Sequence, residues 1–120
     1  EEANSNEIGS IDWEAALKQS AGKEDLAKEM LQMLVEFIPE VDDWIEKAIA
    51  GNSSTEELCH YIHKLHGSSS YCGVPRLKQL CNLIETSLRQ ERSIEEIEPE
   101  LFELQDEMEK VTKAAQRIIT

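Results

Sequence analysis

The 120-residue chain contains no stretch approaching the ~20 apolar residues that a membrane-spanning helix requires. Basic residues are also scarce: 12 Lys and Arg stand against 25 Asp and Glu, for a formal net charge of -13. Nucleic acids and anionic membrane surfaces are recognised through basic surface, so neither is an expected partner and no direct membrane contact is expected. Cysteine occurs three times, at Cys59, Cys72 and Cys81. An odd number, on apolar or boundary positions and without a secretory signal, argues against a disulfide framework and for the reducing cytoplasm. Nothing in the sequence has the form of a Gly-rich phosphate loop with its lysine, or of a paired-carboxylate metal cluster. An ATP site, a bound cofactor and a resident metal are therefore not expected.

Only five glycines, few β-branched residues and no alternating apolar run leave little room for sheet, and the periodicity is helical throughout. Length favours one domain. Residues 1–10 are polar and acidic and read as a linker or disordered tail; residues 11–120 read as a single helical domain, a module of a longer chain. A short helix is expected from Asp12 to Gln19. A long one runs from about Lys23 to Ala50, with Leu26, Met30, Met33, Leu34, Phe37, Val41, Trp44, Ile45 and Ala48 on its apolar face and a kink at Pro39. Ser54 to Glu57 has capping-box spacing for a third helix that includes Leu58 to Cys72, and Gly73-Val74-Pro75 makes the next turn. A fourth helix presents Leu77, Leu80, Cys81, Ile84 and Leu88. The last shows Leu101, Leu104, Met108, Val111, Ala115 and Ile118, beginning either at Pro99 or at a Ser93/Glu96 capping box. Met30, Met33, Phe37, Leu101 and Met108 are expected in the core, and the runs Glu95-Glu96 and Asp106-Glu107 on a solvated face. The class is all-α: an antiparallel, up-down four-helix bundle with a short extra helix at its N-terminal end.

The segment His63-Lys64-Leu65-His66-Gly67-Ser68-Ser69-Ser70 carries the chemistry. On a helix turning ~100° per residue, Leu58, Ile62, Leu65, Ser69 and Cys72 share the buried face. His63 then points to solvent beside the small residues Gly67 and Ser70, which leave room for another protein to approach. Between Leu58 and Gln90 the basic residues Lys64, Arg76, Lys78 and Arg89 face one acid, Glu85, a net of +3 that leaves -16 for the rest. Such an island steers an acidic partner toward His63, with Lys64, Arg76 and Lys78 at the rim.

Together with Gly73, Leu77, Leu80-Cys81 and Ile84-Glu85, the His63-x-Leu65-x-Gly67-Ser68-Ser69 pattern resembles the histidine phosphotransfer (HPt) domain across roughly residues 55 to 90. The resemblance implies that His63 accepts a phosphoryl group from a receiver-domain aspartate and passes it to the aspartate of a response-regulator receiver. It implies that Gly67 admits the receiver, that Ser68 can contact the phosphoryl site and that Glu85 orients the imidazole. His66 stands where the family usually has lysine, which implies a more pH-sensitive site. Further implications are a bacterial hybrid sensor histidine kinase, membrane-anchored with this domain at its cytoplasmic C-terminal end, and a receiver of the same or a partner kinase as donor. The Mg2+ ion would belong to the receiver, and the isolated domain would be a monomer. Two other readings stay open: a metal site built on Cys59, His63 and His66, which fall within roughly 60° of one helical wheel, and a passive helical interaction module.

Overall fold

The computed structural model describes residues 10–119, which form five helices and no strand. They are α1 (Trp13–Gln19), α2 (Glu24–Ile49), α3 (Thr55–Ser69), α4 (Pro75–Arg89) and α5 (Ile94–Ile119). The expected tail lies outside the described residues except for Ser10, which is buried. Short connections make successive long helices antiparallel, and each packs on two others: α2 on α3 and α5, α4 on α3 and α5. The bundle is thus a closed ring, with α1 against α2 at one end.

The ends of the helices follow local chemistry. Asp12 caps α1 by accepting from the Ala15 N–H. Ser54 caps α3 by accepting from the Glu57 N–H at 3.1 Å. Gly51, at φ +80°, ends α2, with the Asn52 N–H donating to the Lys47 carbonyl and the Gly51 N–H to Ala48, as a Schellman turn requires. At α5 the full capping box forms: Ser93 Oγ accepts from the Glu96 N–H, and Glu96 Oε1 accepts from the Ser93 N–H. The helix therefore starts at Ile94, and Pro99 lies within it instead of opening it. Pro39 likewise interrupts nothing. It sits on the exposed side of a continuous α2, where a carbonyl deprived of its N–H partner can turn to water.

The core draws on Leu31, Leu34, Val41 and Ile45 of α2, Leu58, Ile62 and Leu65 of α3, Leu77 and Ile84 of α4, and Leu101, Leu104 and Val111 of α5. Three expectations need correction. Met33 is 62% exposed, and Leu26 is exposed as well. Met30 and Phe37 are half-buried. The apolar arc of α2 is wider than the core requires, so Ala27, Leu31 and Ile38 take its centre and the methionine side becomes surface. Glu107, expected in solvent, is buried on α5. Finally, α3 ends at Ser69, so Cys72 joins Gly73 in the turn that follows, where only the glycine was expected.

That turn locks α1 in place. The Asp12 N–H donates to the Gly73 carbonyl at 2.6 Å. Gly73 has φ +66°, and a Cβ there would stand 2.3 Å from the Asp12 carbonyl oxygen. Only glycine fits so close a backbone crossing.

Candidate functional site

The tight α3–α4 turn places the two helices side by side, so a residue near the middle of one meets a residue near the middle of the other. His63 Nδ1 stands 2.6 Å from Glu85 Oε2. Arg89, one turn beyond Glu85 on α4, donates from Nη2 to the same oxygen at 2.5 Å. His66 Nδ1, one turn beyond His63, lies 3.3 Å from Glu85 Oε1. Three donor-bearing side chains thus surround one carboxylate whose side chain is only 7% exposed.

Burial by itself raises the Glu85 carboxyl's affinity for a proton. The hydrogen bond from His63 and the nearby positive charge of His63, Arg89 and His66 outweigh burial and hold the group below its ordinary value. An ionised carboxylate can only accept hydrogen bonds, so the proton of a neutral His63 belongs on Nδ1 and the lone pair on Nε2. The His63 side chain is 62% exposed. With Nδ1 turned to a buried carboxylate, the opposite edge of the ring faces solvent. The site can therefore present a nucleophilic imidazole nitrogen in a defined tautomer.

Its surroundings leave an approach open. Gly67, one turn after His63, has nothing within 4 Å of where a Cβ would stand, and Ser68 is exposed. Beside them, Met30, Met33 and Phe37 of α2 line a shallow apolar groove with Lys64, Gly67 and Tyr71. Lys64 Nζ lies 5.6 Å from the Phe37 ring centroid and 5.9 Å from that of Tyr61, so its charge rests over aromatic faces at the groove's edge.

The remaining residues singled out in the sequence fall elsewhere. Arg76 pairs with Glu103 of α5 at 3.0 Å, and being nine residues before Glu85 it lies ~13 Å away along the helix axis. Lys78 and Ser70 line a small cleft with Asp12 and Gly73 at the α1 end, and the Ser70 hydroxyl donates to the His66 carbonyl. Among the described residues no group of three or more His, Cys, Asp or Glu side chains is arranged to hold a metal. Burial pushes the Cys72 thiol up to about 11 and the Cys81 thiol to about 12, the latter helped by the Glu85 charge.

Two features were missed from the sequence. Arg89 entered only as a unit of charge; its i,i+4 spacing from Glu85 is visible, but such spacing ordinarily marks a solvated surface pair. The Met33 and Tyr71 groove went unseen because apolar residues at helical spacing read first as core.

Residues 29–114 match the family model of the Hpt domain. The signal transduction histidine-protein kinase BarA of Shigella flexneri is 52% identical over 114 residues, which cover 95% of this chain and 12% of that protein. BarA of Escherichia coli (strain K12) is 51% identical over the same length and share. The sensor histidine kinase GacS of Pseudomonas protegens is 40% identical over 85 residues, 71% of this chain and 9% of that protein. The chain thus spans about an eighth of the length of its BarA relatives. The crystal structure of an HPt domain from a Shewanella sensor hybrid histidine kinase superposes with a TM-score of 0.87 at 39% identity, covering 93% of this chain and 95% of that one. The helical bundle, the family model and these relatives agree: the chain belongs to the Hpt domain family, the histidine phosphotransfer modules of phosphorelays.

Proposed function

We propose that His63 is the phosphoryl acceptor, that its Nε2 takes the group from the aspartyl phosphate of one receiver domain, and that it delivers the group to the aspartate of another. The observation that carries this reading is the His63–Glu85 contact of 2.6 Å between an exposed imidazole and a buried, ionised carboxylate. In the forward step the N–P bond forms as the acyl-phosphate O–P bond breaks, and the donor aspartate leaves as carboxylate. The proton on Nδ1 does not move. Glu85 stays against it and offsets the positive charge that develops on the ring, as carboxylates do beside reacting histidines.

Phosphoryl transfer proceeds through a loose transition state that depends on alignment and charge neutralisation. This chain supplies the aligned acceptor; the divalent cation, Mg2+, and most of the neutralising charge belong to the receiver. The domain is therefore a carrier and not an ATP-dependent enzyme by itself. Gly67 and Ser68 admit the receiver, the groove of Met30, Met33, Phe37 and Tyr71 gives it an apolar seat, and Lys64 supplies a rim charge that acts mainly on association rate. By likeness to BarA and GacS, the intact protein is a hybrid sensor kinase with this domain on the cytoplasmic side of the membrane, receiving phosphate from its own or a partner kinase's receiver. No described helix is long and apolar enough to cross a membrane.

The test is transfer of labelled phosphate from a phosphorylated receiver to the wild-type domain and to His63→Gln, followed by acid treatment of the product. Acid-labile label on the wild type alone is the expected result. Label that survives acid, or that persists on His63→Gln, would remove His63 from the role.

A further inference from the structure

We propose that Arg89, with His66 opposite it, is a positioning residue for His63: the two hold the Glu85 carboxylate in the one orientation that keeps the His63 proton on Nδ1 and Nε2 free. The inference rests on His63 being the phosphoryl acceptor. It assigns a role to a residue whose side chain bonds to Glu85 and reaches His63 only through it.

Glu85 is an unusual carboxylate. It is buried between α3 and α4, yet ionised, and an ionised buried group persists only where donors replace the water it has lost. Its two oxygens are not equivalent. Oε2 takes both the His63 Nδ1–H and the Arg89 Nη2–H, while Oε1 faces His66. A glutamate has three side-chain torsions, and the last is broad, so the His63 contact alone does not fix the plane of the carboxylate. Arg89 from one side and His66 from the other complete a three-point grip.

The identity of residue 66 bears on this directly. His66 stands where the family usually has lysine, and its half-buried side chain is turned inward toward Oε1. Its effect therefore passes through Glu85. Arg89 is the last residue of α4, so a rival explanation is that its charge merely complements the helix C-terminus. That role would affect stability but not the proton position on His63.

The proton position can be read directly. Long-range 1H–15N NMR of the whole domain, at a pH where the His63 ring is neutral, distinguishes the Nδ1–H from the Nε2–H tautomer. Wild type should be dominated by Nδ1–H. Arg89→Gln should shift population toward Nε2–H and slow transfer within the saturated receiver complex by about tenfold, the lower end of the loss seen when the hydrogen-bond partners behind a metal-bound histidine are removed. The half-saturating receiver concentration should not change. Arg89→Lys should restore most of both effects, and His66→Gln should shift the tautomer in the same direction.

Arg89 is 63% exposed, so the fold should survive its replacement; Arg89→Met, which keeps most of the aliphatic stem, provides a second variant. An unchanged tautomer in both variants would overturn the proposal. So would a raised half-saturating concentration with no tautomer shift, since Arg89 would then be contacting the receiver. A wild-type domain that accepts no label from any receiver would overturn the acceptor reading instead, and the NMR result would still decide what Arg89 does to His63.

Discussion

Replacing either of two glycines by alanine should move stability in opposite directions, and the structure says by how much. At Gly73 the backbone sits at φ +66°, where an L-residue costs ~1–2 kcal/mol. The added Cβ would meet the Asp12 carbonyl oxygen at 2.3 Å and the Ala16 nitrogen at 2.9 Å. Both are backbone atoms, so no side-chain rotation relieves the contact and the first turn of α1 must move. That movement breaks the 2.6 Å bond from the Asp12 N–H to the Gly73 carbonyl, for ~1 kcal/mol more, and loosens the buried Ile11 and Ala16. The expected loss is about 3 kcal/mol, or roughly 10–15 °C in Tm for a domain of this size. Gly67 lies inside α3 with nothing within 4 Å of its missing Cβ. Alanine there should add about 0.5–1 kcal/mol, because it lowers the entropy of the unfolded chain and favours helix. Urea denaturation followed by far-UV circular dichroism measures both. A Gly73→Ala variant within ~0.5 kcal/mol of wild type, or two variants moving in the same direction, would refute the close-approach account. The functional counterpart is Gly67→Phe, which should remain folded yet receive no phosphate; normal transfer would mean the receiver does not approach there.

Other outcomes can be checked with the same protein. Burial holds the Glu107 carboxyl above its ordinary value near 4.5, against the lowering effects of the Ser10 hydroxyl, Lys110 and Arg76. The folded state thus binds that proton more tightly than the unfolded chain, and the resulting stability is complete below about pH 4.5 and lost as pH rises through the folded value. Glu107→Gln should therefore gain about 1 kcal/mol at pH 7 and lose that advantage near pH 4, measured by urea unfolding at both. Glu85 has the opposite sign: its value is lowered, so its contribution is present above about pH 4.5 and disappears as pH falls through the folded value. Glu85→Gln should be less stable than wild type by about 1 kcal/mol at pH 7, and the gap should close on acidification; a constant gap would mean the charge is not what matters. In native protein at pH 8, iodoacetamide should modify the half-buried Cys59 well before the buried Cys72 and Cys81, as peptide mapping would reveal.

Helices, caps and the exposed histidine were legible in the sequence because each depends on residues within a turn or two. The Ser54/Glu57 cap and the face shared by Leu58, Ile62 and Leu65 are local matters of torsion and periodicity, and the HPt-like run from His63 to Ser69 lies on a single helix. The α5 boundary was legible too, but as two candidates, since Pro99 and the Ser93/Glu96 pair each suit a helix start; the completed hydrogen bonds chose the latter. Tertiary structure decided what one helix cannot express by itself. A wide apolar arc on α2 does not say which flank the neighbouring helices will cover, and packing left Met33 outside and put Ala27 within. Two buried glutamates came to differ because Glu107 faces a bundle interior that leaves one oxygen unpartnered, whereas Glu85 meets His63, His66 and Arg89 from two helices. The sequence singled out His63 as the candidate acceptor. The crossing of α3 and α4 determined which of its nitrogens is free, because a tautomer is set by the group that reaches the other side of the ring.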